Sequence, residues 1–174
     1  MSVRPVLAFL STTDERLSGR VCAWHAPTWV LLWMILATRL GDGWLWLGGG
    51  ALLAASGQHH SMVAAAIAMS ATNVVQVVVK RGVRRPRPHL ETPHLPFRVR
   101  APDRFSFPSG HSMNAFAFAA VISVDNSLLA PGLGLVAASV AASRVILGLH
   151  YPTDVVAGAL LGSLIGLAAR ACVG

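Results

Sequence analysis

The feature that most constrains this chain is a succession of apolar segments separated by short polar breaks. They run from about Val21 to Leu40, Trp44 to Ser56, Met62 to Val79, Ser109 to Val124, Leu128 to Leu149 and Thr153 to Val173. Segments of this kind become helices in a bilayer, so an all-α integral membrane bundle of six transmembrane helices is expected. Several, notably the second, fall short of the ~20 residues a perpendicular span requires, which implies extension into the turns or local thinning of the bilayer. With 54% hydrophobic and 12% charged residues over 174 positions, the chain is too apolar for an ordinary soluble domain, and residues 1–174 read as one membrane-embedded domain. The opening stretch to Arg20 mixes Val6, Leu7, Phe9, Leu10 and Leu17 with charge, as an N-terminal helix lying in the membrane interface would. Acidic Asp14 and Glu15 stand where a cleavable leader would want small residues, so no cleaved signal peptide is expected.

Punctuation falls at Gly41-Asp42-Gly43, Gly57 to Ser61 and Asp125-Asn126-Ser127, while Lys80 to Pro108 is the long polar connection. Trp24, Trp29, Trp33, Trp44 and Trp46 mostly fall near segment ends, as an aromatic belt would. Alternating six spans brings the end of the third, the start of the fourth, the end of the fifth and the start of the sixth to one face.

The formal charge of +7 could signal nucleic acid, but the cations cluster between apolar segments rather than on a polar face. Membrane lipids and anionic phosphate groups fit better, and no nucleic-acid partner is expected. Cys22 and Cys172, near opposite ends, make neither a disulfide framework nor a zinc site and read as packing residues. His89, His94 and Glu91 in the long connection are a conceivable weak metal site, but no metal or other cofactor is assigned.

Three polar clusters share the common face. In KRGVRRPRP, Lys80 to Pro88, basic residues beside a span commonly just fix orientation, but Pro86 and Pro88 restrict Arg87 so that its planar guanidinium suits phosphate oxygens, with Lys80 as a point charge. In Pro108-Ser109-Gly110-His111, Pro and Ser are ordinary helix starters. A helix N-terminus also offers free N–H groups to an anion, and Gly110 permits close approach, with His111 alongside. The third cluster is Ser143 to Asp154. Arg144 lies in an apolar segment, where a central charge costs about 2.5–3.5 kcal/mol, and needs an anion, water or an ion pair with Asp154.

Chemistry divides the labour. A neutral imidazole is a nucleophile toward phosphorus when one nitrogen is unprotonated and the other is anchored. His150 is the candidate nucleophile and Asp154, four residues on, its orienting acceptor. Lys80, Arg87, Arg144, Ser109 and the Gly110 N–H would hold the phosphoryl oxygens, and His111 would protonate the leaving oxygen and then activate water. A bell-shaped pH dependence follows.

Lysine, six residues, arginine-proline, then Pro-Ser-Gly-His, then Ser-Arg, five residues, His, three residues, Asp are spacings that resemble the type 2 phosphatidic acid phosphatase superfamily. Lys80, Arg87 and Pro88 fill the first motif, Pro108 to His111 the second, and Ser143, Arg144, His150 and Asp154 the third. The resemblance spans Lys80 to about Gly166. It implies a six-helix fold, metal-free hydrolysis of a lipid phosphate or diphosphate, and the roles just given. A polyprenyl diphosphate such as undecaprenyl diphosphate is the expected substrate, with phosphatidic acid and phosphatidylglycerol phosphate as alternatives. A vanadate-dependent haloperoxidase, from the family's soluble relatives, and a catalytically silent lipid-binding membrane protein are the other classes to separate.

Asp42 reads as a turn former, His59 and His60 as interfacial residues on the opposite face, and the Gly48-Gly49-Gly50 run and the small residues of the last two spans as close packing. Counting Arg4, Arg16, Arg20 and Arg170 on the N-terminal face leaves the other ten of 14 cations on the catalytic face, or seven once Lys80, Arg87 and Arg144 are assigned to substrate. That bias points inward. Bacterial proteins resembling this one work on the outer side, and an outward catalytic face is the expectation.

Overall fold

The computed structural model describes residues 4–88 and 103–174. His89, Glu91 and His94 lie outside the described residues, as do the side chains of Val6 to Leu10 and of Cys22. The helices are α1 Arg4–Ala23, α2 Thr28–Leu40, α3 Trp44–Ala55, α4 His59–Val83, α5 Gly110–Asp125, α6 Ala130–Ile146 and α7 Pro152–Val173, with a 3-10 turn Ser127–Leu129 before α6.

Among the described residues, three helical stretches are long and apolar enough to cross a membrane: His59–Val83, Ser127–Ile146 and Pro152–Val173. α2 and α3 qualify only together, as one broken span or a re-entrant loop bent by 57° at the glycine turn. Of the six expected spans, three, or four if the bent pair is one span, thus meet the length and apolarity of a crossing among the described residues. The first apolar run divides at Pro27, which precedes α2 and cannot continue a helix from α1. At 16 residues α5 is short, but it packs against α4, α6 and α7 and is shielded by them from the surroundings.

Residue size is distributed as a bilayer demands. Leu32, Leu36, Leu47, Val74, Leu160 and Leu164 are exposed, whereas the buried positions are largely Ala, Ser and Thr. The result is a multi-pass membrane protein whose backbones approach closely. On α7, Gly158, Gly162 and Gly166 recur at one turn's spacing and face the α5 backbone. A Cβ at these positions would stand 2.6, 2.2 and 2.4 Å from the carbonyl oxygens of Ser109, Met113 and Ala117. The tight contact thus joins the last helix to α5 rather than to α6. Gly49 packs on the Phe118 ring, but a Cβ at Gly48 or Gly50 would meet nothing within 4 Å among the described residues. Trp46 is a core residue against Phe118, not part of a belt; Trp24, Trp29, Trp33 and Trp44 are exposed. Cys172 is exposed rather than packed.

The two ends of the bundle are chemically distinct. At one, Arg170 pairs with Asp125, Ser61 donates to the same carboxylate, and His60 lies 3.4 Å from the Val173 carbonyl. At the other are all three sequence clusters. α1 reaches this second end, because Asp14 accepts the Thr153 N–H at 3.1 Å and pairs with Arg85 at 2.7 Å. Asp14 and Arg170 thus mark opposite ends of the bundle.

Candidate active site

Local backbone geometry delivers each candidate. α6 stops at Ile146 because Gly148 adopts φ +68°, a left-handed conformation suited to glycine, and both the Leu149 and His150 N–H groups fold back onto the Arg144 carbonyl. His150 is thereby released from the helix and points inward. Pro152 opens α7, and Asp154 in its first turn accepts the Tyr151 N–H at 2.9 Å. The second cluster is tied to the third where the Ser109 N–H donates to the Asp154 carbonyl at 3.0 Å.

One cavity of about 920 Å³ receives His111, His150, Lys80, Arg87, Arg144 and Gly110 together. Arg87 is 1% exposed. Its Nη1 donates to the Leu149 carbonyl at 2.7 Å and lies 2.9 Å from His150 Nε2. A guanidinium has no acceptor, so Nε2 must carry the lone pair and the imidazole proton sits on Nδ1. That nitrogen points toward Asp154 Oδ2 at 3.6 Å, too long for a hydrogen bond, and has no other partner among the described residues. Burial pushes the His150 pKa well below the ordinary imidazole range, and the positive charges of Arg87, Arg144 and Lys80 push it the same way.

Arg144 donates through Nη1 to the Thr38 hydroxyl, while its buried Nε has no partner among the described residues. It does not pair with Asp154, so the lone ion pair considered from sequence is not formed. Asp154 instead accepts Arg85 Nη1 at 2.8 Å. Ser109 does not reach the cavity. Its hydroxyl accepts from Ser112 at 3.1 Å, and its N–H is taken by Asp154. Gly110 does line the cavity, and a Cβ there would strike Gln76 Oε1 at 1.8 Å, so packing on α4 also requires the glycine.

Four acidic or basic residues complete the site without having been singled out for it. Asp42, read first as a turn former on the catalytic face with headgroup contact as the alternative, holds His111 Nε2 at 2.8 Å. Asp103 bridges Lys80 Nζ at 2.7 Å and Arg87 Nη2 at 2.8 Å. Burial alone would raise the Asp103 carboxyl, but hydrogen bonds from Lys80 and Arg87 outweigh it and hold the group below the ordinary carboxylate range. Arg85 and Asp14 stand behind Asp154.

The same cavity continues away from the charged end between α3 and α4, past Leu47, Ala51, Val77 and Met69 to Ala54 and Met62. Lys80 and Met62 are 18 residues apart on α4, or about 27 Å at 1.5 Å per residue.

A cationic cage around two imidazoles is thus set at one end of an apolar helical bundle and opens into an apolar groove. The chain belongs to the PAP2 superfamily, whose family model matches residues 61–174. It is 37% identical over 116 residues to decaprenylphosphoryl-5-phosphoribose phosphatase of Mycolicibacterium smegmatis, covering 67% of this chain and 62% of that protein's length. The protein of the same name in Mycobacterium tuberculosis is 32% identical over 124 residues, 71% of this chain and 68% of the relative. The fold is similar to the crystal structure of the PAP2-type phosphatidylglycerolphosphate phosphatase from Bacillus subtilis, with TM-score 0.76 and 25% identity over 93% of this chain and 85% of that one. It also resembles Aquifex aeolicus LpxE in fold, with TM-score 0.78 and 24% identity, covering 86% of this chain and 90% of that one.

Proposed function

We propose that this chain is a single-domain membrane lipid phosphatase that cleaves a phosphoryl group from a polyprenyl-linked phosphate or diphosphate through a phosphohistidine, without a metal. The observation that carries this reading is the continuity of one cavity from His111, His150 and three cations into an apolar groove between α3 and α4. A charged headgroup and a hydrocarbon chain can occupy it at once.

In this reading His150 Nε2 attacks phosphorus, exchanging its contact with Arg87 for the P–N bond. Asp154 accepts or attracts the Nδ1 proton as positive charge develops on the ring. Lys80, Arg87, Arg144 and the Gly110 N–H hold the equatorial oxygens, supplying the charge that a metal provides elsewhere. His111 protonates the leaving oxygen and then takes a proton from the water that hydrolyses the phosphohistidine. Ser109 supports the turn instead of the phosphate. The catalytic end faces outward from the cytoplasmic membrane, which places Gly174 inside; reporter fusions at Gly174 that read outside would reverse it.

The names of the mycobacterial relatives support the polyprenyl class and add a lipid-linked sugar phosphate beside undecaprenyl diphosphate. The phosphatidylglycerolphosphate phosphatase likeness keeps phosphatidylglycerol phosphate on the test panel, with phosphatidic acid beside it as the other diacylglycerol alternative. Phosphate release by the purified chain, in detergent with chelator, should favour polyprenyl substrates over diacylglycerol ones and exceed that from water-soluble esters. Equal turnover of soluble esters would sink the lipid assignment. Halide oxidation on adding vanadate would favour the haloperoxidase class, and phosphatase activity unchanged in His150→Ala would favour a silent lipid binder with a contaminant.

A further inference from the structure

Behind the His150–Asp154 pair lies a second buried carboxylate that belongs to α1, ahead of the residues matched by the family model. Asp14 is 1% exposed and Asp154 fully buried, and one cation stands between them. Arg85 forks: Nη1 donates to Asp154 Oδ1 at 2.8 Å and to the Thr153 hydroxyl at 2.9 Å, while Nη2 donates to Asp14 Oδ2 at 2.7 Å. Its plane rests on the Tyr151 ring, 4.1 Å from the centroid. Asp14 is itself fixed by the Thr153 N–H at 3.1 Å and by the Thr153 hydroxyl. Two buried carboxylates would repel and each would carry a desolvation cost; a shared guanidinium offsets both only in this bridging geometry.

The geometry has a consequence for the neighbouring imidazole. Arg85 occupies Oδ1 of Asp154, and the Tyr151 N–H is on Oδ2, so the carboxylate cannot rotate and it is Oδ2 that faces His150 Nδ1. Arg87, by contrast, approaches the opposite nitrogen, Nε2. Two arginines of one motif, separated by Pro86, therefore address the two sides of the histidine system, Arg87 from the phosphate side and Arg85 from behind.

We propose that Arg85, braced by Asp14 of α1, is a positioning residue for the His150–Asp154 pair, so that the N-terminal helix forms part of the catalytic apparatus. This rests on the reading of His150 as nucleophile and Asp154 as its orienting group. Lysine carries the charge but not the planar fork, and cannot reproduce both contacts.

The test is steady-state phosphate release from a polyprenyl phosphate in detergent, with inorganic phosphate as competitive inhibitor, for wild type, Arg85→Met, Arg85→Lys, Asp14→Asn and His150→Ala. Loss of alignment should lower kcat about 100-fold in Arg85→Met and about tenfold in Arg85→Lys and Asp14→Asn, with KM and the phosphate Ki within about threefold of wild type. A merely structural role would disturb the Lys80 and Arg87 cage as well. Loss of kcat matched by an equal rise in phosphate Ki, or wild-type kcat in both Arg85→Lys and Asp14→Asn, would overturn the proposal. Those two variants decide it even if Arg85→Met does not accumulate. Activity surviving in His150→Ala defeats the parent reading instead, whereas inactive His150→Ala beside fully active Arg85→Met defeats only this one.

Discussion

Asp42 Oδ1 stands 2.8 Å from His111 Nε2, joining a turn between two helices to a histidine 69 residues away in the sequence. The preceding Gly41 packs on the same ring, where a Cβ would lie 2.9 Å from His111 Cδ2. The turn therefore fixes both the position of the imidazole and the direction of one of its nitrogens. Asp42→Asn keeps the size and removes the charge, and should lower kcat about tenfold while leaving KM nearly unchanged, a part of the 10²–10⁴-fold range for acid–base groups. Unchanged kcat would mean that the turn only packs.

The environment of His150 fixes the acid side of the pH profile. Burial and then the charges of Arg87, Arg144 and Lys80 keep its pKa well below the ordinary imidazole value, so the neutral, nucleophilic form persists as the pH falls through about 6.5. The acid limb of kcat/KM, which reports the free enzyme, should therefore lie below that value. A limb at or above it, tracking His150 by substitution, would contradict the described environment.

Asp103 places a carboxylate on two donors that the proposed mechanism assigns to phosphate, Lys80 at 2.7 Å and Arg87 at 2.8 Å. A binding anion must compete with it. Asp103→Asn should lower the Ki of inorganic phosphate about fivefold, the equivalent of one partly exposed ion pair of ~1 kcal/mol. A raised Ki would show that the carboxylate holds the cations in place.

The α5–α7 contact admits no side chain at Gly162, where a Cβ would fall 2.2 Å from the Met113 carbonyl oxygen. Gly162→Ala should destabilise the protein by about 1–3 kcal/mol and lower its thermal midpoint in detergent. Gly132→Ala, with nothing within 4 Å, is the control and should be neutral or slightly stabilising. Equal midpoints for the two variants would mean that the helices are not in backbone contact.

Much of the site was legible because its motifs are local. Lys80 and Arg87, Gly110 and His111, and Arg144 with His150 each come from one short stretch, and each stretch delivers its residues to the common cavity. The groups that sequence reasoning missed reach the site only through tertiary contact. Asp42 meets His111 across 69 residues, and Asp14 meets Thr153 across 139, from a helix that looked like an interfacial appendage. Asp42 in a glycine turn had an adequate local explanation, and nothing in its neighbours distinguished a functional role. Arg85 was hidden among the basic residues flanking a span, although its place beside Pro86 is as restricted as that of Arg87. The six spans were read from apolarity segment by segment, whereas three helices and one bent pair are long and apolar enough to cross among the described residues. Hydropathy does not reveal that α2 and α3 form a bent pair, or that α5 is short and enclosed by its neighbours.

The central claim is covalent attack by His150, and trapping the intermediate tests it most directly. Purified protein mixed with a polyprenyl substrate carrying a radiolabelled terminal phosphate, then quenched within one turnover, should contain label that is stable to alkali, lost in acid and mapped to His150, and absent from His150→Ala. Phosphate released at full rate with no labelled protein, or label on another residue, would contradict the account.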